Sequence, residues 1–136
     1  MLAGELYDAS DPLLTQERQE ARALTHRLNV TEYGNVSVYK KILSALLPNA
    51  ATDIEIEPPF FCDYGYNIYA GEKVFFNFNC VFLDVMPIRI GSNVLFGPNV
   101  QIYTATHLID ALERRRSPEF ARPVSIGDDS VGSGEV

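Results

Sequence analysis

The feature that most constrains this chain is an apolar beat six residues long. Ile56, Cys62, Ile68, Val74, Cys80 and Met86 fall at successive sixes, and after a slip of four residues the beat resumes as Ile90, Phe96 and Ile102. Gly91 and Gly97 follow two of these positions, in the pattern aliphatic-Gly-x-x-small or its aromatic variant. A β-helix has that period. Each coil has three six-residue faces with one residue per face turned inward, and stacked coils build a core that no single coil could bury alone. The chain is therefore expected to be mainly β.

An 18-residue coil would set Cys62 over Cys80, Phe60 over Phe78 and Ile68 over Met86. Each pair would touch across the ~4.8 Å spacing of neighbouring strands. The two cysteines are expected as buried thiols, because a free Cys packs as a small hydrophobe. A disulfide across the rung is geometrically conceivable, but no signal peptide precedes the chain, which points to a reduced, cytoplasmic setting.

The first 50 residues follow a different rule and read as a helical segment. Asp11 can cap a helix with Pro12 at its first position, and Leu14, Arg18, Ala21, Leu24 and Leu28 form a 3.6-residue stripe that ends at Asn29. A second stripe of Val36, Tyr39, Leu43, Leu46 and Leu47 stops at Pro48-Asn49, and Pro58-Pro59 mark entry into the repeat. Residues 51–136 are assigned to the β-helix. Its beat breaks at a loop insertion over about 106–123, where an unstructured stretch inside a compact repeat is usually functional.

Coils resume at Ile126-Gly127-Asp128-Asp129-Ser130, and the next aliphatic residue is Val131 where the beat wants position 132. The sequence given reaches Val136 one face into a new coil. Incomplete coils expose strand edges and core, so a chain of this extent is expected to be marginally stable or aggregation-prone.

Composition narrows the function classes. With 136 residues, 46% hydrophobic and 21% charged, the chain fits one ordinary globular domain. A net charge of −7 and a pI near 4.7 argue against a nucleic-acid partner. No apolar run approaches the ~20 residues that span a bilayer, so no membrane role is expected. The one basic run, Arg114-Arg115-Arg116, reads as a solvated loop tip, with an anion contact such as a cofactor phosphate as the alternative.

His107, in Thr104-Ala105-Thr106-His107, stands where the last regular coil enters the insertion. A histidine at a coil corner beside a functional loop is a candidate general base, because its ordinary pKa near 6.5 suits proton abstraction from an alcohol at neutral pH. The other histidine, His26, lies on a polar side of the first helix and is expected to be exposed. Asp63 and Asn77 project from coil corners. Such groups can hold sugar hydroxyls, or serve the turn itself, since Asn and Asp bond locally and tolerate left-handed backbone.

Met1-Leu2-Ala3-Gly4-Glu5-Leu6-Tyr7-Asp8, Asp63-Tyr64-Gly65-Tyr66-Asn67-Ile68, Asn77-Phe78-Asn79-Cys80, Leu83-Asp84-Val85-Met86-Pro87-Ile88-Arg89-Ile90-Gly91 and Ile102-Tyr103-Thr104-Ala105-Thr106-His107 together resemble the maltose and galactoside O-acetyltransferases of the hexapeptide-repeat superfamily. The resemblance runs through essentially the whole chain in order. It implies a left-handed parallel β-helix with N-terminal α-helices. It also implies a homotrimer with active sites between subunits and acetyl transfer from acetyl-CoA to a sugar hydroxyl.

On that resemblance His107 matches the catalytic base, and Glu119 an acidic position that orients the imidazole. Asp8 and Asp63 match sugar-binding positions. Asn77 matches a cofactor-side residue able to stabilise the tetrahedral oxyanion. Ser133 matches a cofactor-binding position once register is recovered.

Two departures accompany the resemblance. Family members continue for several more coils and carry a Trp near Ser130-Val131, whereas this chain has no Trp; a deletion or altered reading frame would explain both that and the short beat. Val85 stands where galactoside-type members have a substrate-binding Asp, which favours a maltose or glucose acceptor. The expectation is thus an acetyl-CoA-dependent sugar O-acetyltransferase with no metal, and the alternative is a catalytically silent trimeric scaffold or sugar-binding protein. A zinc carbonic anhydrase on the same fold would need three histidine ligands, and the chain has two histidines.

Overall fold

The computed structural model describes residues 1–116 and 118–133. A short strand β1 (Tyr7–Asp8) precedes helices α1 (Pro12–Val30) and α2 (Val36–Leu46). The first coil then runs through β2 (Glu55–Ile56), β3 (Phe60–Cys62) and β4 (Ile68–Ala70), and the second through β5 (Phe75–Phe76), β6 (Cys80–Leu83) and β7 (Ile88–Ile90). The third contains β8 (Leu95–Phe96) and β9 (Gln101–Tyr103), then leaves the stack as β10 (Ala105–His107), α3 (Ala111–Arg114) and β11 (Pro118–Ala121) before closing with β12 (Val124–Ile126). Last comes β13 (Val131–Gly132). Strands of successive coils pair in parallel as β2-β5-β8-β13, β3-β6-β9 and β4-β7-β12, so the faces of the prism are three parallel sheets.

The coil has twenty residues where eighteen were expected. Phe60 pairs with Cys80, Cys62 with Phe82, Ile68 with Ile88 and Phe76 with Phe96. The proposed rungs Cys62–Cys80, Phe60–Phe78 and Ile68–Met86 are therefore displaced by two residues. Phe78 lies exposed, and Met86 is buried in a second small cluster with Tyr64, Val85 and Ala121. The extra residues sit at one corner: Phe60 to Ile68 and Cys80 to Ile88 each span eight positions, while the other faces repeat at six. The beat concealed this because most faces bury two residues, i and i+2, such as Phe60 with Cys62 and Ile68 with Ala70. At the first long corner the two-residue insertion moves the beat from Cys62, the second buried position of its face, to Ile68, the first of the next, without breaking it; at the second it leaves Met86 outside the prism and gives the slip of four to Ile90. Both cysteines are free and buried.

Four phenylalanines, Phe60, Phe76, Phe82 and Phe96, fill the prism with ring centroids 4.8–5.9 Å apart. Edge-to-face and offset contacts of this kind add to the stabilisation from burial itself. Position 132 is inward, as the beat required. Gly132 occupies it opposite Phe96, and Val131 turns outward opposite Leu95, so register is kept without an apolar side chain. A Cβ at Gly132 would come within 3.1 Å of the Phe96 ring.

The helices close the lower end of the stack. Asp11 caps α1 by accepting from the Leu13 and Leu14 N–H groups, with Pro12 next in line. From α1 the Asn29 amide pairs with both the N–H and the C=O of Phe60 at 2.9 and 3.0 Å. The α2 residue Tyr39 does the same for Ile56 through its hydroxyl, at 2.7 Å in each direction. Ala50 bridges Ala70 on the third face. Side chains and a single bridge thus satisfy backbone groups that a lower coil would otherwise have taken.

The 106–123 segment is not a structureless loop. Strands β10 and β11 form an antiparallel hairpin, α3 sits between them, and β1 adds to its far edge in the order β1-β11-β10. Among the described residues no helix is long and apolar enough to cross a membrane.

Candidate active site

The corner between the β3-β6-β9 and β4-β7-β12 faces is the long one, and its three passes are residues 63–67, 84–87 and 104–123. Asp84 organises the first two. Its fully buried carboxylate accepts the backbone N–H groups of Asp63 (3.0 Å), Tyr64 (2.9 Å), Gly65 (2.7 Å) and Asn67 (3.3 Å). Burial pushes its pKa up to about 6 against the downward pull of these bonds. The Asn67 amide returns donors to the Asp84 and Val85 carbonyls at 2.8 and 3.2 Å. Gly65 has φ +83, and a Cβ there would collide with the Leu46 carbonyl oxygen at the end of α2.

This loop presents Asp63 and Tyr64 toward α1. The Arg18 guanidinium donates to the Tyr64 hydroxyl at 2.8 Å and to the Ala9 carbonyl at 2.6 Å. Burial raises the Asp63 pKa, while Arg22 and then Arg18 draw it back down. The Glu119 charge raises it as well.

The third pass begins at buried Thr104. Its hydroxyl donates to the Leu83 carbonyl (2.6 Å) and accepts from the Met86 N–H (3.0 Å), which ties the hairpin root to the coil below. Along the hairpin the register places Tyr7 opposite Glu119 and Glu119 opposite His107. The side chains follow that rung. Tyr7 donates its hydroxyl to Glu119 Oε2 at 2.9 Å, and His107 Nδ1 lies 3.9 Å from Glu119 Oε1. Burial and then the Glu119 bond hold the Tyr7 hydroxyl far above its ordinary pKa, so it stays a donor. The histidine side chain is 61% exposed and the glutamate 23%, so the imidazole faces solvent on a partly sheltered carboxylate.

Asp8 follows Tyr7 on β1 and is exposed. Its Oδ1 accepts the Ser10 hydroxyl (2.6 Å) and N–H (2.9 Å), bonds that lower its pKa. Asn77 is elsewhere, at the corner after β5, where its Oδ1 accepts the Phe78 N–H at 2.8 Å and its N–H donates to the Phe96 carbonyl. Ser133 follows β13 on that same corner. One chain therefore unites His107, Glu119, Asp63 and the strand carrying Asp8, and keeps Asn77 and Ser133 together on another edge of the prism.

Sequence reasoning missed Tyr7 and Asp84 as parts of this arrangement. Asp84 left a signal, a lone carboxylate inside the run Val81 to Met86 that has nowhere to point but inward. Tyr7 left none, because β1 pairs with a strand more than a hundred residues away. His26 is exposed as expected. Among the described residues no group of three His, Cys, Asp or Glu could hold a metal ion.

Residues 1–50 match the maltose acetyltransferase hexapeptide capping motif. A maltose O-acetyltransferase of Clostridium difficile 630 superposes with a TM-score of 0.94 at 45% identity, covering 98% of this chain and 72% of that one. A galactoside O-acetyltransferase of Lactococcus lactis is 32% identical over 134 residues, 97% of this chain and 65% of that protein. The chain belongs to the maltose and galactoside O-acetyltransferase family. Another hexapeptide-repeat acetyltransferase, from Vibrio cholerae and complexed with acetyl coenzyme A, aligns with a TM-score of 0.75 at 27% identity over 98% of this chain and 79% of its own. The chain thus spans roughly two thirds to four fifths of the length of the proteins it matches.

Proposed function

We propose that this O-acetyltransferase family member moves the acetyl group of acetyl-CoA onto a hydroxyl of a sugar, with maltose or glucose as the favoured acceptor. The observation that carries the reading is the Tyr7–Glu119–His107 rung. Glu119, its Oε1 3.9 Å from Nδ1, stabilises the imidazolium that forms on proton abstraction, and Tyr7 holds Glu119 in place. The other nitrogen, Nε2, takes the proton from the sugar hydroxyl as its oxygen attacks the thioester carbonyl. The tetrahedral intermediate then collapses, the carbon–sulfur bond breaks, and the CoA sulfur leaves with the proton from His107.

Asp63 and Asp8 accept hydrogen bonds from the acceptor. Val85, buried and without a carboxylate, gives no anchor of the galactoside type. Asn77 keeps its amide nitrogen as a donor for the oxyanion, and Ser133 lies along the same edge for the CoA arm.

These two groups lie on different corners, so a complete site needs the Asn77 corner of one chain against the His107 corner of another. The exposed side chains Phe78 and Leu95, with Phe75 in the same outward row as Leu95, suit burial between copies in a homotrimer. A left-handed winding of the coils, a cap formed by residues 1–50 on the stack of 51–136, and a cytoplasmic setting complete the proposal.

The test is acetyl-CoA-dependent release of free CoA with glucose, maltose and galactosides, with His107→Ala alongside. A positioned base contributes about 10²–10⁴-fold, so the variant is expected to lose about 3–5 kcal/mol of barrier lowering while still binding sugar. Sugar-independent release, or full turnover by His107→Ala, would remove the mechanism. Binding without release would favour the silent scaffold or sugar-binding reading.

A further inference from the structure

A cleft of about 350 Å³ opens between α1 and the outer face of β3, beside Asp63. It lies near the lower end of the ~300–1,000 Å³ typical of ligand sites, room for about one sugar ring. Arg22 and His26, one helical turn apart and both exposed, form one wall; Phe61, 45% exposed, and Leu83 form the apolar floor; Asp63 closes the end. The remaining polar side chains nearby are already engaged, Asn29 with the Phe60 backbone and Thr25 with the Arg22 carbonyl.

The chemistry selects a neutral polyhydroxylated ring. A pyranose has an apolar C–H face, which an exposed aromatic ring covers, and a rim of hydroxyls, which a planar guanidinium, an imidazole and a carboxylate can bond from the edge. A phosphate or carboxylate ligand would meet Arg22 favourably but Asp63 unfavourably. Position matters as much as composition. Asp63 lines the cleft, and its neighbour Tyr64 packs in one cluster with Tyr7 and the hairpin residues Ala105 and Ala121, so the chain at Asp63 joins the cleft to the reacting centre.

We infer that the acceptor site continues past Asp63 into this cleft as a second sugar subsite, formed by Phe61, Arg22 and His26, so that the acceptor carries at least two rings. One ring offers its hydroxyl to His107, and the next rests on Phe61. This rests on the sugar-acetylating reading above and narrows its acceptor class.

The experiment compares glucose, maltose and maltotriose as acceptors for the full chain and for the exposed-site variants Arg22→Ala, His26→Ala and Phe61→Ala. Sugar binding to the same proteins is followed by NMR titration, and each variant's thermal transition is checked against the parent. The parent is expected to prefer maltose over glucose in kcat/KM, with little further gain from maltotriose. Arg22→Ala and Phe61→Ala should each lower the maltose-to-glucose ratio about tenfold, chiefly through KM, as the loss of a charge-assisted hydrogen bond or a stacked ring implies. A ratio unchanged in all three folded variants would overturn the subsite. If no sugar is acetylated, the functional reading fails by itself. The titration then decides the inference: tighter maltose binding that Arg22→Ala abolishes supports it, and equal binding of glucose and maltose overturns it.

Discussion

Two corners of this β-helix are tight turns that repeat almost unchanged, and the remaining one differs at every pass. At the tight corners Lys73, Asn79, Asn93, Asn99 and Asp129 all adopt left-handed backbone. Side chains are reused from coil to coil there: Asn79 donates to Asn99, and Asp53, Ser92 and Asp128 cap turns one coil away. The long corner holds a five-residue loop, then the segment that fixes that loop through Asp84, then a twenty-residue excursion with its own sheet. Repetition makes a frame whose geometry is set many times over, so one column of corners can vary without losing register. The His107, Glu119 and Asp63 part of the candidate site lies in that column because there the chain is free to carry long excursions of side chains that the core does not use, whereas Asn77 and Ser133 sit on a tight corner.

The contrast can be broken at several points. Asp84→Ala should have the largest effect on stability, since it leaves four backbone N–H groups without their acceptor. At ~1 kcal/mol or more each, the loss is about 4 kcal/mol or more, read from the denaturant midpoint. The same carboxyl gives a pH signature. Its folded pKa of about 6 lies above the unfolded value near 3.8, so its stabilising contribution is complete below that lower value and is lost as pH rises toward 6. The midpoint should therefore fall between about pH 4 and 6, and Asp84→Asn should flatten that slope.

The hairpin offers smaller tests. Glu119→Gln removes the charge that steadies the imidazolium and should lower turnover by about 10–100-fold, with little change in KM for acetyl-CoA. Tyr7→Phe deletes one hydrogen bond to Glu119, and a loss of about 2–10-fold is expected. Equal effects of Tyr7→Phe and His107→Ala would show that β1 does more than position the glutamate. The smallest change belongs to a tight corner. Lys73→Gly keeps the N–H that donates to Asp53 and relieves a side chain at φ +55, so stability should rise by at most about 1 kcal/mol.

The sequence by itself determined the β-helix, because a period of six apolar positions is a property of the chain that only stacked coils can bury. It also determined α1 and α2, through Asp11, Pro12 and the 3.6-residue stripes, and it pointed to His107 at the edge of the excursion. Only the tertiary structure decided the coil length. Ile68 opposite Ile88 and Ile68 opposite Met86 are equally apolar pairings, and choosing between them requires knowing that each corner near Asp84 takes two extra residues. The Tyr7–Glu119–His107 rung was likewise invisible beforehand. Its strands are brought together by pairing across the length of the chain, and such long-range contacts leave no period in the sequence to read.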